Sequence, residues 1–179
     1  TRLAAHKGLD LVERIMESVV SENDVQLVIL GKGEQRFEDY FNYLGAKYPD
    51  KVKALIVYDR DLSKRIYAAA DVFVMPSKSE PCGLAQMIAS RYGAVPVTRE
   101  TGGLYDSIKG YYEENGEIHG NGFTFANYSE IELRDRILAA LELYKNADKW
   151  TALVKKIMNV DFSWNISAKK YIELYDHMC

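Results

Sequence analysis

The chain has 179 residues, of which 47% are hydrophobic and 27% charged, with a formal net charge of −3. That length accommodates one domain with a sizeable core and is short for two. The near-neutral balance supplies no global basic field for nucleic acid, and no apolar run approaches the roughly 18 residues of a membrane span.

Thr1-Arg2-Leu3 reads as a chain already under way, with no signal peptide, so a longer protein is expected. Leu9, Val12, Ile15, Met16 and Val19 recur at three- and four-residue spacing and predict an amphipathic helix over 8–20. The apolar run 25–30, closed by Gly31, predicts a buried strand. Phe37, Tyr40, Phe41 and Leu44 predict a second helix ending near Gly45 or Pro49. A strand over 53–58, a helix over 62–70 and a strand over 71–75 stopped by Pro76 follow. A helix over 83–92, a strand over 94–97 and a short strand over 123–125 come next. The stretch 110–122, rich in Gly, Glu, Asn and Tyr, reads as a surface loop. Residues 129–178 are helical in three pieces, broken near Asn146 and at 161–163.

Nearly continuous apolar strands separated by helices predict an α/β fold, a Rossmann-like doubly wound parallel sheet. Ligands of such sheets bind outside the carboxyl ends of the strands, which directs attention to the loops at 31–33, 58–61, 76–84 and 98–104.

Ser77-Lys78-Ser79-Glu80-Pro81-Cys82-Gly83-Leu84 follows a strand and opens a helix. Unpaired N–H groups there can hold a phosphate or a sugar hydroxyl, and Gly83 permits close approach; equally, Glu80 and Pro81 can simply start a helix. Gly31-Lys32-Gly33 lacks the third glycine of a dinucleotide fingerprint, since position 36 is Arg36, and reads as a tight turn or a pocket wall. Thr101-Gly102-Gly103-Leu104 allows close backbone approach or a plain turn. Arg2 and Lys7, five residues apart before a helix, can grip a diphosphate or stand solvated. His6 and His119 lie far apart, and no spacing of His, Cys and acid residues indicates a metal. The two cysteines, Cys82 and Cys179, form no disulfide framework and fit a reducing compartment.

These motifs resemble the C-terminal domain of bacterial glycogen synthases and plant starch synthases. Arg2-Leu3-Ala4-Ala5-His6-Lys7-Gly8-Leu9-Asp10 is similar to their Arg-Leu-x-x-x-Lys-Gly-Leu-Asp opening. The run from Ser77 to Gln86 is similar to their Ser-x-x-Glu-Pro-Cys-Gly-Leu-x-Gln signature, and Thr101 to Asp106 to Thr-Gly-Gly-Leu-x-Asp. Gly120-x-Gly122-Phe123-x-Phe125 and Asp161-Phe162-Ser163-Trp164 extend the resemblance from end to end.

The resemblance implies the C-terminal half of a GT-B enzyme, a retaining glucosyltransferase using ADP-glucose to elongate an α-1,4-glucan. Arg2 and Lys7 would bind the diphosphate, and Glu80 would lie against glucose. The backbone at Cys82, Gly83 and Leu84, with Ala85, Thr101, Gly102 and Gly103, would complete the nucleotide-sugar site, and Tyr58 would pack on adenine. Ala85 stands where bacterial members often carry Thr, and Ile88 where wider retaining families carry a ribose-binding Glu. No metal or cofactor is expected. Residues 1–179 would form one domain, with 163–178 a helix crossing back to an N-terminal acceptor domain absent from this chain, as is the strand that precedes Thr1 in the family. The chain alone would then bind nucleotide and transfer no glucose. The setting implied is the bacterial cytoplasm, or the plastid of a plant. Two other readings are a UDP-glucose-dependent GT-B transferase and a non-catalytic nucleotide- or glycan-binding module.

Overall fold

The computed structural model describes residues 1–178; Cys179 lies outside the described residues. A 3-10 turn, Ala5–Lys7, leads into α1 (Leu9–Glu22). Then come β1 (Leu27–Leu30), α2 (Gln35–Lys47), β2 (Val52–Leu55), α3 (Arg60–Ala69), β3 (Val72–Met75), α4 (Ala85–Tyr92) and β4 (Val95–Arg99). A short α5 (Gly103–Ser107), a hairpin of β5 (Tyr112–Glu114) and β6 (Glu117–His119), and β7 (Phe123–Phe125) follow. Three helices close the chain: α6 (Glu130–Tyr144), α7 (Ala147–Met158) and α8 (Trp164–Met178).

The expected alternation is present. In α1 the apolar positions of the three/four pattern, Leu9, Leu11, Val12, Ile15, Met16, Val19 and Val20, are all buried. Each such side chain contributes about 1.5–3 kcal/mol when removed from water. α1 packs against α2 and α6, and α4 against α3 and α7. The fully buried Val95 and Val97 of β4 lie in the core beneath α6 and α7.

All five strands of the main framework are parallel, in two pieces rather than one. β1 pairs with β2, Leu27 opposite Val52, and β3–β4–β7 form the second piece, with Val72 opposite Val95 and Val97 opposite Phe123. Among the described residues, β1 and β3 form no ladder with each other. Beside the carboxyl end of β1 runs the opening segment. The Thr1 nitrogen donates to the Leu30 carbonyl at 2.7 Å, Leu3 N–H to Lys32 O at 3.0 Å, and Glu34 N–H to Leu3 O at 2.6 Å.

Some boundaries differ from expectation for clear reasons. Of the two ends expected for α2 the one near Pro49 is found, since the helix runs through Gly45 to Lys47; a glycine weakens a helix without breaking it. β2 stops at Leu55, leaving Tyr58 in the connection to α3, and Asp59 then caps α3 by accepting from Leu62 N–H at 2.9 Å. α4 begins at Ala85, since Gly83 has φ +75°, outside the right-handed helical region. The stretch 110–122 is no plain loop. It contains the antiparallel hairpin β5–β6, turning at Asn115-Gly116 with φ of +52° and +82°.

Candidate functional site

The site is built on the loop joining β3 to α4. Lys78 N–H donates to the His6 carbonyl at 2.9 Å, tying this loop to the 3-10 turn. Gly8, at φ +73°, both ends that turn and begins α1; a Cβ there would lie 2.0 Å from the Pro76 carbonyl oxygen. This close approach brings together two residues 73 positions apart. Lys7 Nζ meets Glu80 Oε2 at 2.5 Å, with the two side chains only 20% and 11% exposed. Buried Ser77 donates its hydroxyl to the same Glu80 oxygen at 3.2 Å. A charge-assisted pair with this much burial holds its geometry better than a surface ion pair does.

The Thr101–Gly103 turn closes on the same loop. Gly103 N–H is shared between the carbonyls of Glu80 (3.1 Å) and Pro81 (3.2 Å). A Cβ on Gly102 would stand 2.2 Å from Glu80 O, and one on Gly103 2.1 Å from Cys82 O. The room left by the paired glycines is therefore filled by the backbone of the Glu80 loop. The buried Gln86 amide donates to Gly83 O (2.9 Å), Cys82 O (3.3 Å) and Ser107 Oγ (3.0 Å), locking the entrance to α4.

Lys7, Glu80, the backbone of Cys82–Leu84 and Thr101–Gly103 thus converge. Cys82 and Leu84 face solvent, Leu84 at 66%. Arg2 is exposed, and Tyr58 is 86% exposed; neither makes a hydrogen bond or ion pair to Lys7 or Glu80. A Cβ on Gly31 or Gly33 would strike Thr1 O (1.9 Å) or Leu3 O (2.1 Å), so both glycines make room for the backbone of the opening segment. Among the described residues, no group of three or more His, Cys, Asp or Glu side chains is placed to hold a metal. None of their helices is long and apolar enough to cross a membrane.

Two residues of this neighbourhood were missed in the sequence. Arg99, the last residue of β4, and Tyr128 support the Glu80 loop from below. Tyr128 donates its hydroxyl to Asp10 Oδ1 at 2.5 Å; burial first, then that bond, hold its phenol well above the usual tyrosine range. The available signal was Arg99 at the carboxyl end of a strand, where ligand-side residues gather.

Known proteins resemble this chain along nearly its whole length. The family model "Glycosyl transferases group 1" matches residues 1–157. The glycogen synthase of Bacillus subtilis strain 168 is 50% identical over 178 residues, covering 99% of this chain and 36% of the relative. That of Clostridium beijerinckii is 51% identical over 175 residues, covering 98% and 36%. The catalytic domain of starch synthase IV from Arabidopsis thaliana, solved with ADP and acarbose, superposes with a TM-score of 0.85 at 39% identity, covering 99% of this chain and 37% of that one. The chain spans little more than a third of the length of these relatives. The resemblance to glycogen and starch synthases therefore holds along the whole chain, and the fold is the α/β, Rossmann-like C-terminal half of the GT-B architecture. The chain belongs to the group 1 glycosyl transferases.

Proposed function

We propose that this chain is the donor-binding part of a retaining glucosyltransferase that elongates an α-1,4-glucan from ADP-glucose. The observation carrying this reading is the Lys7–Glu80 pair, set where the backbone of the Cys82–Leu84 segment opens α4. Support for adenine over uracil comes from the starch synthase solved with ADP.

In this reading Arg2 and Lys7 neutralise the diphosphate. The N–H groups at the start of α4 add the positive end of a helix dipole, by backbone alone at Ala85. Glu80 orients the glucose hydroxyls, and exposed Tyr58 covers the adenine. The bond from the anomeric carbon to the diphosphate oxygen breaks, and an acceptor hydroxyl attacks the same face. Its proton passes to the departing phosphate, so configuration is retained without a covalent enzyme intermediate. Stabilising the leaving diphosphate is then the main catalytic contribution of these residues.

An acceptor domain would complete the cleft and exclude water. Two features support it. Residues 163–178 are all exposed, and α8 presents Trp164, Tyr171, Ile172 and Tyr175 without a cover. The chain spans little more than a third of the length of its glycogen synthase relatives, which leaves room for a further domain. The bacterial relatives and the exposed Cys82 thiol support a cytoplasmic setting, or a plastid in a plant.

Calorimetry tests the donor assignment. ADP should bind the chain more tightly than UDP and more weakly as salt rises. Lys7→Ala and Arg2→Ala should each weaken ADP by about tenfold or more, as expected for a lost charge-assisted bond of about 1.5–3 kcal/mol. Unchanged affinity in both variants would overturn the assignment.

A further inference from the structure

We propose that Arg99 is a positioning residue for the sugar half of the donor site, acting through the loop that carries Glu80. The proposal rests on the donor-site reading above. The Arg99 guanidinium spends its fork on three backbone carbonyls from two segments. Nε donates to Ser77 O at 3.0 Å, Nη2 to Lys78 O at 2.6 Å and Nη1 to Ala126 O at 3.3 Å. Among the described residues it forms no ion pair with a carboxylate. Its charge is thus met by dipoles of the very loop it holds.

The support beneath Arg99 is itself fixed. The guanidinium carbon lies 5.6 Å from the centroid of the Tyr128 ring, and Lys78 Nζ lies at the same distance from that ring. Tyr128 is anchored in turn by its hydroxyl on Asp10, in the first turn of α1. A chain of contacts therefore runs from α1 through Tyr128 and Arg99 to the carbonyls of Ser77 and Lys78. The second of those carbonyls lies two residues before Glu80, and Ser77 also binds the Glu80 carboxylate directly.

The Glu80 loop has few other backbone ties. Lys78 N–H reaches His6 O, and Glu80 O and Pro81 O share the Gly103 N–H. Removing the guanidinium frees two carbonyls at once, and the carboxylate loses its fixed direction. Lysine is a point charge on a flexible stem and cannot bridge all three acceptors. Lys7 and Arg2 sit on the opening segment, which has backbone ties of its own besides the one to Lys78, through Leu3 to Lys32 and Glu34, so the diphosphate contacts depend less on Arg99 than Glu80 does.

The test compares two ligands on the 179-residue chain. Calorimetry gives dissociation constants for ADP and ADP-glucose with wild type, Arg99→Ala and Arg99→Lys, with circular dichroism as a check on folding. Arg99→Ala should leave ADP affinity within about threefold and weaken ADP-glucose by about tenfold, changing the ratio of the two constants. Arg99→Lys should fall between, and it carries the test should the alanine variant unfold. An unmoved ratio with binding intact, or equal losses for both ligands, overturns the role of Arg99 alone. Wild-type chain that binds neither nucleotide overturns the donor-site reading and this proposal with it.

Discussion

In a complete synthase carrying this chain, Glu80→Gln should lower turnover by about 10²–10³-fold while ADP affinity changes little. Glutamine keeps the shape of the side chain and a donor-acceptor end, so Ser77 retains a partner. What disappears is the negative charge that binds Lys7 and, in the proposed reaction, steadies the sugar as positive charge grows at the anomeric carbon. Lys7 loses a competitor for phosphate, so ADP binding holds or tightens slightly. Steady-state kinetics beside ADP calorimetry separates the two effects. A glucosyl ester trapped on Glu80 would contradict the orienting role. Glucose transfer to glycogen by the 179-residue chain alone would contradict the need for a second domain.

The second large effect is on stability. Gly102→Ala should destabilise the chain by on the order of 3–5 kcal/mol and lower its melting temperature by about 10 °C. Gly102 adopts φ +47° and ψ −133°, a conformation L side chains rarely occupy, and a Cβ would meet the Glu80 carbonyl oxygen at 2.2 Å. Both surfaces are backbone, so no rotamer change relieves the overlap. Gly45→Ala is the matched control. It lies inside α2, where the nearest atom to a Cβ is 3.7 Å away, and alanine there should stabilise by about 1 kcal/mol. Thermal melts of the two variants should shift in opposite directions; a Gly102→Ala melt within 2 °C or so of wild type would refute the packing argument.

Much of this was legible in the chain itself. The α1 periodicity and the stop at Pro76 are local signals, and local signals survive folding. Ser129 and Asn146, which cap α6 and α7, are signals of the same kind. The Asn115-Gly116 turn was equally visible, but its strands are three residues each and carry no alternating apolar face. The meeting of Lys7 with Glu80 is different. Nothing in a separation of 73 residues predicts a contact; the resemblance to a family brought these residues together before the geometry did. Arg99 escaped notice because it works on backbone carbonyls, which every residue owns, and Tyr128 because its hydrogen-bond partner, Asp10, lies 118 residues away. The division of the sheet escaped for a related reason. Strand order depends on which edges meet, and apolar runs do not encode that.

The exposed α8 gives the molecule two clocks. A 15-residue helix that buries none of its residues has little beyond its own hydrogen bonds to hold it, and isolated helices of that length are marginal in water. Its amide hydrogens should therefore exchange with solvent at nearly unprotected rates. The amides of Val19 and Val20, sealed in the core, wait for rarer and larger openings. A surface that covered Trp164 and Tyr171 would slow the fast clock and leave the slow one untouched. Deuterium uptake along this one helix would then report whether the proposed acceptor domain has docked, with no substrate present.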